Sequence, residues 1–426
     1  MYGTVQGVIR AESATGGFAM LRGQSDCSTF ARRAAVIVFV VMGALSFLAS
    51  MSQPAQSQTY KVIHNFTYYG GATPYSGPVF DKFGNMWGTF YTGGSFGSGG
   101  VYRMSPRGSS WTYTEVYSLK GTPDGAGPAF GTLAIGPDGS LFGTTEGGGY
   151  LGTSFVVCPG TRCTSTESVV HSFGHGTDGN EPIGGVAFDA AGNFYGTTLL
   201  GGTLGNGTVW QSAPSGKKWI TRVIYSFGAD STDAVNPAAA PTVDAQGNVY
   251  GTTSFGGAFN SGAIYKLTPS GSTWTESVLY NFQGLDDGQN PVGGLILDQA
   301  GNLYGTTFDG GVNGGGIVYE LSPSGTFTTL YSFSGGYGGP YNKLTFDANG
   351  NLYGATNGEA LYGYGSVFKL TPGSGGWTLT DLYDFTNGAD GGDPYGSVAV
   401  DARGNVFGTA VTSGGNGQGV LFEITP

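Results

Sequence analysis

One seven-residue phrase recurs seven times along this chain, and its spacing constrains the fold more than any other feature. The first copy is Gly84-Asn85-Met86-Trp87-Gly88-Thr89-Phe90. The other copies start at Gly139, Gly192, Gly247, Gly301, Gly350 and Gly404, so successive starts lie 49 to 55 residues apart. This period is too long for one coil of a solenoid and matches one blade of a β-propeller. The repeats therefore predict seven blades.

The composition supports an all-β fold. Glycine supplies 82 of 426 residues and aromatic residues supply 14% of the chain, whereas the usual helix formers are scarce. This balance favours short strands joined by tight turns over long amphipathic helices.

Each period contains four strand-like runs, which we name strands a, b, c and d. In the fifth period they are residues 293–298, 301–307, 316–323 and 327–333. An Asp-x-x-Gly-Asn sequence separates a from b, and Pro-Ser-Gly separates c from d. Both are tight-turn sequences, in which a side-chain oxygen caps backbone amides and glycine takes a positive φ. The pattern predicts a four-stranded antiparallel blade.

The two ends of the repeat region predict how the ring closes. Residues 60–66 match strand d, whereas residues 420–426 match strand c. The last blade therefore lacks its own fourth strand, and the N-terminal strand can complete it. Such pairing would remove an exposed sheet edge. The predicted propeller domain covers residues 58–426.

The repeat unit also resembles a known family. Asp-x-x-Gly-Asn-Leu-Tyr-Gly-Thr-Thr, a Gly-Gly loop, Gly-x-Val-Tyr-x-Leu-x-Pro and Val-Leu-Tyr-x-Phe together resemble the GloVer tandem repeat of exported bacterial proteins. The resemblance covers the whole of residues 58–426 and implies a secreted or cell-surface β-propeller, with no general activity attached. Two copies depart from the pattern, at Gly136-Pro137-Asp138-Gly139 and at Ala355, where Thr is usual.

The N-terminal sequence is typical of a secretory signal. Arg32 and Arg33 precede an apolar run over residues 34–49, and residues 50–59 turn polar. This order matches the regions of a signal peptide, and the run is short for a membrane span. We expect residues 1–57 to form an N-terminal extension and signal peptide, with an uncleaved anchor as the alternative. The protein is then secreted, periplasmic or displayed at the cell surface.

Export bears on charge and on cysteine chemistry. The net charge of −11 becomes about −13 without residues 1–57, which excludes nucleic acid and anionic membranes as favourable partners. Cys158 and Cys163 remain as an even pair around a Pro-Gly turn, and we expect them to form a disulfide. The alternative is a metal site that uses the two cysteines as ligands. The expected state is a monomer.

In an a-b-c-d meander, the a–b and c–d turns emerge on one face and the longer, glycine-rich b–c and d–a loops on the other. We call these the tight-turn face and the loop face. A ligand site is expected on the loop face or in its central mouth. Aspartates recur there, four residues before the proline that opens strand a: Asp124, Asp178, Asp287 and Asp390. Their oxygens could bind Ca²⁺ or line a sugar site, or each could cap its own loop.

Aromatic residues in or beside the b–c loops are the second set of candidate ligand-binding residues. Rings exposed among hydroxyls and amides can stack on sugars, or they can fold back over the tops of the blades. The candidates are Tyr91, Phe96, Tyr150, Phe259 and Tyr362.

The sequence contains few residues or motifs that are typical of catalytic sites. The chain has three histidines, and no Ser-His-Asp arrangement or helix-borne metal motif can be assembled from its sequence. We therefore expect no cofactor other than a possible Ca²⁺, and no evident catalytic activity. The leading hypothesis is an exported binding module for polysaccharide or cell-envelope components. The alternatives are a polysaccharide lyase or hydrolase that uses loop-face carboxylates, and purely structural surface display.

Overall fold

The computed structural model describes residues 58–128, 130–159, 167–230, 232–335, 338–358 and 360–426. Two predictions fall outside these ranges, in whole or in part. The N-terminal extension and signal peptide, residues 1–57, lie outside them, as does Cys163 of the expected disulfide. Both stay predictions.

The described chain forms seven four-stranded antiparallel sheets, which confirms the predicted seven-bladed β-propeller. Strand a is two residues long in every blade, whereas strands b, c and d are longer. The strands are β1 Thr59–Asn65, β2 Val79–Phe80, β3 Met86–Phe90, β4 Gly100–Arg107, β5 Ser110–Ser118, β6 Ala134–Ile135, β7 Leu141–Thr145, β8 Thr153–Val157, β9 Glu167–Ser172, β10 Ala187–Phe188, β11 Phe194–Thr198, β12 Thr208–Ser215, β13 Lys218–Ser226, β14 Ala234–Val235, β15 Thr242–Val243, β16 Val249–Thr253, β17 Phe255–Gly256, β18 Ala263–Ser270, β19 Thr273–Asn281, β20 Ile296–Leu297, β21 Leu303–Thr307, β22 Gly314–Leu321, β23 Phe327–Ser334, β24 Thr345–Phe346, β25 Leu352–Thr356, β26 Ser366–Gly373, β27 Gly376–Asp384, β28 Ala399–Val400, β29 Val406–Ala410 and β30 Val420–Thr425.

Each blade takes four of these strands in chain order, as a, b, c and d. Blades 1, 2 and 3 are β2–β5, β6–β9 and β10–β13. Blade 4 is β15, β16, β18 and β19, and the short strands β14 and β17 pair with each other beside it. Blades 5 and 6 are β20–β23 and β24–β27. Blade 7 is β28, β29 and β30 with β1 as its fourth strand.

The N-terminal strand closes the ring, as predicted. Strand β1 pairs antiparallel with β30, from Thr59 opposite Thr425 to Asn65 opposite Val420. The first and last strands of the propeller thus belong to one sheet. This pairing supplies partners to the backbone groups that β30 would otherwise leave on an open edge.

The aspartates of the a–b turns hold those turns together. In blade 3, Asp189 accepts hydrogen bonds from the backbone N–H groups of Ala191 and Asn193, both at 2.9 Å. Its second oxygen accepts from the Asn193 side chain at 2.7 Å and from the Tyr195 hydroxyl at 2.9 Å. The same arrangement recurs at Asp244, Asp298 and Asp347. The recurring Asp, Asn and Tyr of the repeat are therefore one structural unit.

The glycine of the Gly-Thr-Thr sequence makes room for a large ring. A Cβ atom at Gly196 would overlap the ring of Trp210 on the neighbouring strand c. Trp210 is fully buried, so the ring has no free space into which it could move. The same close approach recurs between Gly251 and Tyr265 in blade 4. A glycine in strand b therefore lets a large aromatic residue fill the space between blades.

In blades 2, 3, 4, 5 and 7, the first threonine after this glycine donates a hydrogen bond to the segment that leads into the next blade. Thr252 in blade 4 donates a hydrogen bond to the carbonyl oxygen of Gly293, which leads into blade 5, at 3.0 Å. Thr409 in blade 7 bonds in the same way to the carbonyl of Ser76 in blade 1, at 3.1 Å. Equivalent bonds run from Thr144 to Gly184, from Thr197 to Ala239 and from Thr306 to Asn342.

Blade 6 lacks this threonine, and a neighbouring side chain replaces its hydrogen bond. Ala355 stands at the position and carries no donor. Across the same junction, the side-chain amide of Asn342 donates to the carbonyl of Tyr395 in blade 7 at 2.8 Å. The departure seen in the sixth repeat is thus compensated by an interblade bond from a different residue.

Hydrophobic cores fill the spaces between adjacent blades. One cluster combines Tyr195 and Val209 of blade 3 with Val249, Tyr265 and Leu267 of blade 4, all buried. Both faces of an internal blade are therefore covered, which explains why strand b reads as a continuous buried run. Within the part of the chain that the structure describes, no helix has the length and apolarity needed to cross a membrane.

We expect Thr252→Val to destabilise the propeller, because it leaves the buried carbonyl of Gly293 without its donor at nearly constant side-chain volume. The expected cost is about 1–3 kcal/mol in the free energy of unfolding, measured by urea titration. The matched control is Thr275→Val, at an exposed position on the outer strand of the same blade. Equal stability of the two variants would contradict a stabilising role for the interblade bond.

Candidate functional site

A groove opens on the loop face where the loops of blades 1, 2 and 3 meet. Its cavity measures about 420 Å³. We call it the loop-face groove, and its lining residues are Tyr91, Thr92, Gly97, Ser98, Ala126, Gly127, Glu146, Gly147, Tyr150, Leu151 and Glu181. The lining therefore holds two carboxylates and two tyrosines but no lysine, arginine or histidine.

Tyr91 and Glu146 are held together at the centre of the groove. Each follows directly after strand b of its own blade, and each backbone N–H bonds to a carbonyl of the loop leading into that blade, on Thr73 and Gly127 respectively. The Tyr91 hydroxyl donates a hydrogen bond to a Glu146 carboxylate oxygen at 3.0 Å. Burial, together with this bond to Glu146, raises the pKa of Tyr91 to about 12. The hydroxyl is therefore a hydrogen-bond donor at neutral pH.

Glu181 is placed by an unusual backbone conformation. It precedes Pro182 and has a φ of 55°, in the left-handed region. Its N–H donates to the Leu151 carbonyl of blade 2 at 3.0 Å, and its carbonyl accepts from Leu199 of blade 3 at 3.0 Å. These two bonds tie the residue to both neighbouring blades, so they hold a conformation that would otherwise cost of order 1–3 kcal/mol.

The same conformation recurs before other prolines in the segments that lead into strand a. Non-glycine residues there have φ between 51° and 61°. The loop face thus carries a ring of fixed positions, whose side chains differ from blade to blade. They are Thr73, Glu181, Asn236, Asn290 and Asp393.

Tyr150 forms the outer end of the groove. Its side chain is 63% exposed, and its ring stacks on the His175 ring with centroids 4.9 Å apart. Its backbone N–H donates to the Ser172 hydroxyl at 3.0 Å. The stacked partner and the backbone bond keep this exposed ring in a fixed orientation, with Leu151 beside it.

The inner end of the groove meets a group of aromatic rings at the centre of the loop face. We call Tyr75, Phe130, Tyr341 and Tyr395 the mouth cluster, because their rings contact one another with centroids 5.1 to 6.0 Å apart. The Tyr91 ring packs edge-on against Tyr75 at 5.3 Å. Tyr91 therefore links the groove to the mouth.

Carboxylates make this region of the loop face electronegative. Burial raises the pKa of Asp393, although its carboxylate accepts a hydrogen bond from Thr412 at 2.9 Å. Burial also raises the pKa of Tyr75, and the nearby Tyr395, Asp393 and Glu146 raise it further. The Tyr75 side chain is therefore near carboxylates that belong to blades 7 and 2.

The four aspartates predicted as ligand-binding residues do not line this groove. Each contacts a side chain of the outer strand that precedes its loop. Asp124 accepts from Tyr117 at 2.7 Å, Asp287 from Tyr280 at 2.8 Å and Asp390 from Tyr383 at 3.1 Å. Asp178 pairs with His171 at 2.8 Å.

The carboxylates of Asp178, Asp287 and Asp390 also accept hydrogen bonds from backbone N–H groups of their own loops. Asp178 accepts from the N–H of Gly174 at 3.0 Å, and Asp390 accepts from Thr386 at 2.7 Å and from Gly388 at 3.0 Å. No group of three or more His, Cys, Asp or Glu side chains that could hold a metal ion occurs among the residues described.

The structure brings two of the five predicted aromatic residues into the groove. They are Tyr91 and Tyr150. Phe96, Phe259 and Tyr362 lie at other loop tips, with exposed fractions of 58%, 58% and 54%. These three rings are open to solvent, but they do not line the groove.

Glu146 was not among the predicted site residues, although a comparison of the repeats contains the signal. After strand b, the other copies carry Tyr, Leu, Ser, Phe, Asn and Val, so Glu146 is the single carboxylate at its position. Glu181 and Asp393 are the only carboxylates at the position before proline. Residues that break the pattern of a repeat mark the blades that differ in chemistry.

The family profile described as the Gloeobacter/Verrucomicrobia repeat matches residues 50–245 and 237–426. The chain belongs to this repeat family. The match confirms the resemblance seen in the sequence. Among curated proteins, none matches the chain.

Several solved structures resemble this repeat protein at low sequence identity. An ulvan lyase of a polysaccharide lyase family, bound to a -[GlcA(1-4)Rha3S]- saccharide, is 11% identical, with 85% of this chain and 95% of that chain covered and a TM-score of 0.48. A Bacteroides uniformis protein provisionally assigned as a 6-phosphogluconolactonase is 13% identical, covering 73% and 84%, with a TM-score of 0.47. A protein of unknown function from Dyadobacter fermentans is 13% identical, covering 87% and 99%, with a TM-score of 0.46.

Outside the groove, carboxylates on outer strands meet the loops of the preceding blade. Glu276 on β19 is half-buried, and burial, together with Asp233 and Asp230, raises its pKa to about 7. In the unfolded chain the ordinary value is about 4.5. Between these values the unfolded chain releases a proton that the folded protein retains, so stability is lost as the pH rises.

We expect the free energy of unfolding to fall between about pH 4.5 and pH 7, and Glu276→Gln to reduce this fall. Urea titrations at half-unit pH intervals measure the slope. The control variant is Asp286→Asn, which removes an exposed carboxylate from a loop. An unchanged slope in Glu276→Gln would show that this carboxyl group does not carry the effect.

Proposed function

We propose that residues 58–426 act as an exported binding module that binds polysaccharide, or a glycan-bearing component of the cell envelope, through the loop-face groove. Export rests on the sequence of the N-terminal segment. The observation that carries the binding proposal is the presence of Tyr91, Tyr150, Glu146 and Glu181 in one groove. The protein would act as a monomer.

The geometry of the groove suits a saccharide. Its volume of about 420 Å³ falls within the range of small-ligand sites. The fixed, exposed ring of Tyr150 offers an apolar face on which the C–H face of a sugar can stack. The Glu146 and Glu181 carboxylates can accept hydrogen bonds from sugar hydroxyls.

The charge of the groove narrows the class of saccharide. Its lining residues carry two carboxylates and no positively charged side chain. A uronate or sulfated sugar would meet repulsion there, whereas a neutral sugar would not and an amino sugar would be attracted. We therefore propose neutral or amino-sugar polysaccharides as the ligands.

A polysaccharide lyase or hydrolase is the second candidate function, and one contact favours it. The Tyr91 hydroxyl, a proton donor, lies 3.0 Å from the Glu146 carboxylate. Glu181 supplies a second carboxylate in the same groove. A proton donor and two carboxylates in one groove are the kinds of group that acid–base cleavage of a glycosidic linkage uses.

We expect the purified protein to be retained by neutral or amino-sugar polysaccharides such as mannan, cellulose or chitosan, and not by alginate, a polyuronate. Tyr150→Ala should weaken retention about fivefold to tenfold by removing the stacking ring. Phe259→Ala is the matched control, since it removes an equally exposed ring at a loop tip outside the groove. Equal losses in both variants would contradict the assignment of binding to the groove.

The same incubations separate the two candidate functions. Retention without released oligosaccharide supports the binding module. Release of oligosaccharide that disappears in Glu146→Gln supports the enzyme. If no polysaccharide is either retained or cleaved, the saccharide proposal is wrong.

A further inference from the structure

A second cavity runs along the axis of the propeller. Its volume is about 500 Å³, and the innermost strands with the segments leading into them form its wall. Apolar side chains dominate this wall, among them Val79, Leu133, Val186, Ile296, Leu344 and Val398. We call it the central channel. It is distinct from the loop-face groove, with which it shares no lining residue.

One charged side chain lines the central channel. Lys343 leads into strand a of blade 6, and among the lining residues that the structure describes there is no carboxylate, arginine or histidine. Its side chain lies deep within the protein, yet part of its surface faces the cavity. An apolar tube with a single amine in its wall is an unusual arrangement, because a buried ammonium group normally lies beside a carboxylate.

The lysine reaches across two blades. Its Cδ atom passes next to Gly294, which leads into blade 5. Its amine donates a hydrogen bond to the Thr242 hydroxyl of blade 4 at 3.4 Å. That hydroxyl itself donates to the Leu295 carbonyl. The amine is thus held at the wall of blade 4, and the one long hydrogen bond leaves further N–H donors available to a ligand.

Burial lowers the pKa of Lys343, since the apolar surroundings disfavour the charged form. An anion placed next to the amine would reverse this effect by pairing with the ammonium form. A negatively charged ligand would therefore stabilise the ammonium form of Lys343. The described lining residues of the channel supply no such charge.

The side chains that cover the loop-face end of the channel differ in size around the ring. The mouth cluster provides large rings from blades 1, 2, 6 and 7. At the corresponding positions of blades 3, 4 and 5 the side chains are the smaller Ile183, Ala238 and Val292. The smaller residues belong to the side of the ring on which the Lys343 amine ends.

We propose that the central channel binds a small monocarboxylate with an apolar body, its carboxylate paired with the Lys343 amine and its body packed against the apolar wall. The volume lies in the range of ligand cavities, and a single amine matches a single negative charge. A phosphate carries more charge and would need further donors that no arginine or second lysine provides here. Fatty acids and aromatic acids share this chemistry, so both belong in the test.

The test is calorimetric titration of the full-length protein with decanoate and with 2-naphthoate. Decanol serves as the uncharged analogue of decanoate. We expect one of the two acids to bind at least tenfold more tightly than decanol, and Lys343→Met to abolish this preference. Lys82→Met, which removes an exposed lysine, is the matched control and should bind as the unchanged protein does. Preference for decanoate over 2-naphthoate would identify an alkyl acid as the ligand class, and the reverse an aromatic acid.

A second measurement needs no variant and so does not depend on the folding of Lys343→Met. Reductive methylation followed by peptide mass spectrometry reports the accessibility of each lysine amine. We expect saturating acid to protect Lys343 and to leave Lys82 reactive. Three results would each overturn the proposal. The first is that neither acid binds, and the second is that a folded Lys343→Met variant binds as the unchanged protein does. The third is that the bound acid does not slow methylation of Lys343. Polysaccharide retention by the groove is a separate readout and is expected to be unaffected.

Discussion

The architecture depends on how each blade is joined to the next around a closed ring. A blade buries both of its faces only if a neighbour stands on each side, so the cores between blades and the ring form together. Two kinds of hydrogen bond accompany this burial in the described residues. A strand b threonine bonds to the segment that leads into the next blade, as Thr252 does to Gly293. A residue before proline donates back to the preceding blade, as Glu181 does to Leu151. Strand β1 completes blade 7 and so closes the ring.

These junctions also explain where chemistry can vary. The left-handed residues before the prolines are held by backbone bonds to two blades, so their side chains are free to differ. The fold requires the same backbone at Thr73, Glu181 and Asn290, but it does not require the same side chain. The positions directly after strand b also combine a constant backbone with variable side chains. Tyr91 and Glu146 make equivalent backbone hydrogen bonds, and their side chains are hydrogen-bonded to each other. A repeated scaffold thus produces an asymmetric groove.

Much of the fold could be predicted from the sequence, because repeat spacing and turn residues act locally. The Asp-x-x-Gly-Asn turns specify their own hydrogen bonds, and the strand-like ends of the repeat region specify the closure by β1. The groove could be predicted only in part. Tyr91 and Tyr150 were recognised as loop aromatics, whereas Glu146 and Glu181 lie in different blades and meet only through the curvature of the ring. The surroundings of Lys343 were harder to predict, since its neighbours Gly294 and Thr242 lie in two other repeats.

The pairing of Thr59 with Thr425 has a further consequence for orientation. This pair lies at the end of blade 7 that corresponds to the c–d turns, on the tight-turn face. Both ends of the propeller therefore leave the ring on the side away from the groove and the mouth cluster. A tether, a fusion partner or an immobilising tag joined at either end would attach the propeller through its tight-turn face. The loop face, with the groove, would then point away from the attachment. Such attachment leaves the ligand-facing surface open without any linker having to pass around the rim.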